Sequence, residues 1–144
     1  MKKDGVVVYG IYYLNDSNNN IAEVEAVFDD KNIVKVLLYS KNEDSIEKMV
    51  SIDVLSPVRL SDDILRVLGF KETEGRLFGL VNENYFYQKA NDVRIIKDQG
   101  VFKFVQPSVD PNDFYGCKFI PMPYLHQLQG LIGKVKVDNL FFAL

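Results

Sequence analysis

The one histidine of the chain, His126, sits in "YLHQLQG" (residues 124–130) with Gln127 and Gln129 beside it. An imidazole next to an amide is a polar cluster that a helix can present to a ligand or partner. On a helix His126 and Gln129 are three residues apart and share an edge, while Gln127 projects elsewhere. Leu125, Leu128, Leu131 and Ile132 recur at helical spacing and form the buried stripe. His126 lies beside that stripe, so the spacing also suits a boundary histidine that hydrogen-bonds a backbone carbonyl and fixes the helix on its sheet. The rest of the chain favours this structural role. One histidine and one cysteine, Cys117, do not build a zinc site, and no Gly-x-Ser-x-Gly turn supplies a nucleophile.

The other reactive side chains give equally plain readings. Asp62 and Asp63 are adjacent, so on a helix they diverge by about 100° and do not converge on one ion. Their place at a helix start explains them, because they face free backbone amides. Cys117, in "YGCKFI", reads as a structural thiol. "NDSNNN" lacks the acidic spacing and closing glutamate of a calcium loop, and no glycine-rich phosphate loop occurs. Two aromatic strands remain: "YFYQK" sets Tyr85 and Tyr87 on one face with Phe86 on the other, and "VFKFV" sets Phe102 and Phe104 together. Rings two apart on a strand can stack bases. Without arginines flanking them they read as core or as a protein interface. Arg59, Arg66, Arg76 and Arg94 are the only arginines, and a phosphate site would require them to converge.

Composition bounds the options. The chain has 144 residues, 47% hydrophobic and 26% charged, enough for one ordinary domain or two small subdomains with a real core. The net charge of −3 lacks the basic excess of a nucleic-acid surface. A single cysteine rules out an internal disulfide and suits a reducing, cytoplasmic setting. "MKKDGVVVYGIYYLN" has the lysines and apolar run of a secretion signal but no small-residue cleavage site, so a strand is the better reading. No stretch approaches a membrane span.

The elements that position these residues fall into two parts. Residues 1–57 read as a β-meander or small SH3-like barrel: "GVVVYGIYYL", "IAEVEAVF", "IVKVLLYS" and "IEKMVSIDVLSPV" are four strands separated by polar turns. In the second, Ala22, Val24, Ala26 and Phe28 take one face, and Glu23 and Glu25 take the half-exposed other face. Residues 58–144 form an α+β region, joined with the first part or separate from it. There "RLSDDILRVLGF" has a complete set of helix signals: Ser61 as N-cap, Leu60 packing on Leu65, Gly69 past the end and Phe70 folding back on Leu65. "RLFGLV" and "YFYQKA" flank "NEN", and "VRIIK" and "VFKFV" flank "DQG", as hairpins. "CKFI" is a last strand. "PMPYLHQLQGLIG" is the second helix, opened by Pro121 and Pro123, and "KVKVDNLFFAL" is a strand, or a strand followed by a helical turn. The fold class is α+β, mainly antiparallel β with two short helices and a second antiparallel sheet. One continuous sheet wrapped around the second helix is the alternative.

"SPVRLSDDILRVLGF" resembles the pattern Pro-x-x-Leu-(Thr/Ser)-(Glu/Asp)-(Glu/Asp)-x-Leu-x-x-x-Gly-Phe. "PYLHQLQ" and "NLFFAL" resemble the two halves of a Tyr-x-His-Gln-Leu-Gln-Asn-Leu-Tyr-Phe-Ala-Leu stretch. Both patterns occur in small uncharacterised phage- and prophage-type proteins of Bacteroidetes. Here "GLIGKVKVD" separates the two halves, which run together in those proteins. The resemblance implies a phage or mobile-element context, in the bacterial cytoplasm or the virion. With no catalytic constellation, the expected function is non-enzymatic: an accessory or structural protein acting through contacts with itself or other phage proteins, without cofactor. The alternative is an anti-defence protein that binds a small nucleotide signal. His126, Gln127, Gln129, Tyr85 and Tyr87 are the candidate interaction residues.

Overall fold

The computed structural model describes residues 5–14, 17–28, 30–40, 44–76, 82–107, 117–141 and 143–144. In chain order, β1 (Ile11–Leu14), β2 (Ser17–Phe28), β3 (Ile33–Ser40), β4 (Ile46–Ser51) and β5 (Leu55–Pro57) come first. Helix α1 (Asp62–Val67) follows, then β6 (Lys71–Arg76), β7 (Asn82–Gln88), β8 (Val93–Asp98), β9 (Val101–Gln106) and β10 (Lys118–Pro121). Helices α2 (Leu125–Ile132) and α3 (Val137–Leu140) complete the set. The fold is therefore α+β and β-rich, with two antiparallel five-stranded sheets and three short helices. The chain forms two compact units, residues 1–59 with 124–144, and residues 60–123. Residues 124–144 group with the first unit because Leu125 N–H bonds the Val58 carbonyl at 2.8 Å and the Gln129 side chain bonds the backbone of Tyr9 and Ile11.

In the first unit the strand order is β4-β3-β2-β1-β5, and no pairing joins β4 to β5 among the described residues. The sheet is open, not the closed small barrel that the strand count suggests. One face buries Tyr12, Leu14, Ala22, Val24, Val34 and Val36 with Ile52 and Leu55. The expected long first strand shrinks to Ile11–Leu14. Ahead of it the backbone turns, with Gly10 N–H on the Val7 carbonyl at 2.8 Å and Tyr9 at φ 65°. Gly10 has no room for a side chain, since a Cβ would lie 2.7 Å from the Val7 oxygen. "NDSNNN" is not all turn either: β2 starts at Ser17, and Asn20 Oδ1 accepts from the Ser40 hydroxyl at 3.3 Å.

The strict alternation expected in "IAEVEAVF" fails beyond Val24. Val24 pairs with Val36 and Ala26 with Lys35, so Glu25 is the extra residue of a bulge. The bulge exchanges the faces, and Val27 packs on the core while Phe28 is exposed. The expected fourth strand is also two. A 3-10 turn over Ile52–Val54, capped by the Ser51 hydroxyl accepting from Asp53 N–H, separates β4 from β5. That turn buries Ile52 completely and delivers β5 to the far side of β1. The tail ends as the helical turn α3, which buries Val137 and Leu140.

The second unit follows its local signals more closely. Its order is β10-β9-β8-β7-β6. The "DQG" hairpin forms as expected, with Gln99 and Gly100 at φ 50° and 80° in a two-residue loop. The first hairpin shifts: β6 is "KETEGR", "NEN" lies inside β7, and residues 77–81 of the expected "RLFGLV" strand lie outside the described residues. Pro121 closes β10 and does not open a helix. Helix α1 has the predicted caps. Ser61 Oγ accepts from Ile64 N–H at 3.1 Å, and Phe70 N–H reaches the Leu65 carbonyl at 2.9 Å past Gly69 at φ 89°. Gly69→Ala is expected to destabilise this unit by about 1–2 kcal/mol through the left-handed backbone alone, since a Cβ there meets nothing within 4 Å. A denaturation midpoint equal to wild type would contradict it.

Candidate functional site

Helix α2 carries the His-Gln-Leu-Gln stretch, and each of its side chains has a separate task. Leu125 and Leu128 are fully buried, each contributing about 1.5–3 kcal/mol by leaving water. Gln127 turns back on its own helix: its Oε1 accepts from Tyr124 N–H at 3.1 Å and caps the first turn. Gln129 acts as a surrogate peptide group. Its Oε1 accepts from Ile11 N–H at 2.9 Å and its Nε2 donates to the Tyr9 carbonyl at 2.8 Å. These two bonds hold one side of the irregular Tyr9–Ile11 backbone, while Val24 of β2 bonds the Tyr9 N–H and the Gly10 carbonyl on the other.

His126 is only 7% exposed and lies between two tyrosines. The Tyr12 ring is 5.1 Å away at 28°, and the Tyr124 ring is 5.8 Å away at 12°. The Arg59 guanidinium caps this column, 5.9 Å from the Tyr124 centroid. At the other end the Tyr12 hydroxyl accepts from Val7 N–H at 3.0 Å. Among the described residues no carbonyl bonds the imidazole, and its Nδ1 is buried with no hydrogen-bond partner. His126 is held by ring packing. Burial pushes its pKa below the usual histidine value, because the charged ring loses its hydration.

The group that the sequence did not single out is Glu23. Expected on a half-exposed face, it is 2% exposed. Across the sheet it faces Ile11 of β1 and Leu37 of β3. Lys134 Nζ is 3.9 Å from its Oε1, and the Tyr39 hydroxyl bonds the same carboxylate, but Oε2 is buried without a partner. Burial raises its pKa, against the opposing pull of Lys134. Lys134 also lies 5.2 Å from the Tyr9 ring centroid. No local pattern marks Glu23 as buried, because its partner Lys134 comes more than a hundred residues later.

In the second unit Tyr85 and Tyr87 share one sheet face, and Phe86 takes the other, packed edge-to-face on Phe102 at 6.4 Å. Arg94, opposite Tyr87 in the ladder, stacks on its ring at 4.5 Å. An arginine does flank the aromatics, contrary to expectation. Asp92 ties both down, accepting from the Tyr87 hydroxyl at 3.0 Å and from Arg94 at 2.9 Å, which braces the β7–β8 turn. Arg66 bonds Asp63 and Glu72 at 3.0 and 2.8 Å, on the opposite face from Arg94. Arg59 belongs to the first unit, and the Arg76 side chain lies outside the described residues. Within the second unit, Arg66 and Arg94 thus do not converge.

Two clefts open on this unit. One of about 450 Å³ is lined by Asp62, Glu72, Glu74, Tyr85 and Lys97 among others, an acidic excess that repels phosphate. The other, about 510 Å³, has Lys97, Lys103, Asp98 and Phe119, but Lys97 pairs with Asp62 at 3.5 Å and Lys103 with Asp98 at 2.8 Å. Asp62 and Asp63 take different cationic partners and share no site. Cys117 is a half-buried free thiol. Among the described residues no three His, Cys, Asp or Glu side chains gather as metal ligands, and no helix is long and apolar enough to cross a membrane. No family model, curated protein or solved structure matches the chain.

Proposed function

We propose that the protein acts without catalysis, as a phage or mobile-element accessory protein that works by contact with other protein. One observation carries this reading. One end strand of each sheet, β4 in the first and β10 in the second, displays large apolar side chains: Ile46 is 61% exposed, Met49 52%, Phe119 41% and Ile120 40%. Edge strands are usually blunted against association, and apolar side chains on both of them mark surfaces meant to be covered. The phage context rests on the resemblance of the Pro57–Phe70 and Tyr124–Gln129 stretches and of "NLFFAL". An SH3-like reading of the first sheet is supported by its order and by the three-residue link that carries the chain from β4 to β5, the two ends of that order. Sheets joined in this way must curl strongly.

The nucleotide-binding alternative is less well supported, since each described arginine is already engaged with a carboxylate or ring of its own unit. Native mass spectrometry of freshly purified protein distinguishes the two. A complex of defined stoichiometry, with itself or another protein and without nucleotide mass, is the expected result. A monomer that retains a nucleotide overturns the reading.

A further inference from the structure

The geometry points to a specific occupant for the β4 edge: the β4 strand of a second copy of this chain, antiparallel, across a two-fold axis at Ile46. This rests on the protein-contact reading above and names its partner. β4 ends its sheet, and among the described residues Ser45, Glu47 and Met49 make no backbone bond on the outer side. The direction of those groups follows from the ladder. Ile52 N–H donates to the Asn32 carbonyl at 3.1 Å, one step beyond the Ile33–Ser51 pair. Bonded residues alternate along an antiparallel strand. Ile46, Lys48 and Val50 therefore turn their backbone groups toward β3, and Ser45, Glu47 and Met49 turn theirs outward.

That alternation restricts how two copies can meet. Opposed residues must both point in or both point out, so a two-fold axis sets one residue against its own copy. Axes at Glu47 or Lys48 place like charges directly opposite, which is destabilising. An axis at Met49 opposes Lys48 to Val50 and makes no ion pair. An axis at Ile46 opposes Ile46 to Ile46 and, on both sides of it, Asp44 to Lys48. Ser45 and Glu47 then exchange about four backbone hydrogen bonds across the junction. Ile46, Asp44 and Lys48 lie on the sheet face of Leu38, which is opposite Ile46 in β3 and packs against the first core. The apolar face thus continues from one copy into the other. The contact is isologous, as a closed dimer requires.

The test uses the full chain with Cys117→Ser as background. Sedimentation is expected to show a concentration-dependent dimer, and Ile46→Cys is expected to cross-link it under mild oxidation, with Met49→Cys failing to do so. Lys48→Glu should weaken the dimer roughly tenfold or more, because two attractions become two repulsions. Asp44→Lys added to Lys48→Glu should restore it. Circular dichroism on each variant confirms that these exposed changes leave the fold intact. A dimer that cross-links through Met49→Cys alone, or that ignores Lys48→Glu, overturns this pairing. A monomer that forms a defined complex with a different protein also overturns it and leaves the protein-contact reading standing. A monomer holding a nucleotide sinks both.

Discussion

Gln129→Ala is expected to destabilise the first unit by about 2–3 kcal/mol, because it strips a buried backbone N–H and a carbonyl of their partners at once. The Ile11 N–H bond to Gln129 is buried and spans the unit from one chain segment to the other, so water cannot replace it without opening the α2 packing. The Tyr9 carbonyl loses its donor in the same step. His126→Ala should follow at about 2 kcal/mol, from the cavity left between two rings and not from a lost hydrogen bond. Gln127→Ala should cost only about 0.5–1 kcal/mol, since its capping bond is exposed. Chemical denaturation with an unchanged m-value checks the series. A Gln129→Ala protein that unfolds at the wild-type midpoint would remove this account of the motif.

Glu23→Gln is expected to make the protein more stable at pH values above the usual carboxylate range, where the buried wild-type side chain must ionise. The folded-state pKa of Glu23 is raised by burial, so the folded protein holds that proton more tightly than the unfolded chain. The stability linked to this group is fully present below the usual carboxylate range and is lost as pH rises through the folded pKa. Glutamine keeps the shape, carries no charge and cannot suffer that loss. His126 tilts the other end of the profile. Its pKa is lowered, so the unfolded chain binds the proton more readily, and stability falls as pH drops below the ordinary histidine range. Glu23→Gln should remove the loss of stability that begins as pH rises above the usual carboxylate range, and should leave the His126 contribution unchanged. A Glu23→Gln stability profile that matches wild type across this range would show that Lys134 and Tyr39 already neutralise the buried carboxylate.

What could be read from the sequence was what is local. Ser61, Gly69 and Phe70 act within five residues of their partners, and each cap formed as its residue type dictates. The "DQG" turn is equally self-contained. The candidate cluster of His126 and Gln129 was also visible as a polar pair at one helix edge, but its task was not. Their partners, Tyr12 for the ring and Tyr9 and Ile11 for the amide, lie over a hundred residues away and carry no periodic signal. Glu23 failed for a related reason, because alternation describes one strand and says nothing of the segment that later covers it. The bulge at Glu25 shows the third limit, where one inserted residue reverses which side chains face inward.

The discontinuity of the first unit has a consequence for the order in which the chain acquires structure. Its sheet lies within residues 1–59, yet its covering helix arrives only after residue 123. Closing so large a loop unaided costs entropy that grows with its length. The contiguous residues 60–123 remove most of that cost, since Leu60 N–H bonds the Pro123 carbonyl at 2.9 Å and brings the ends of the intervening segment together. During synthesis this segment can fold as soon as it emerges, while Tyr9, Ile11 and Glu23 wait uncovered. Its folding then delivers Tyr124 beside Arg59, where the two form an antiparallel bridge. The second unit thus serves the first as a folding clasp, and a mutation that slows it will leave the first sheet exposed for longer.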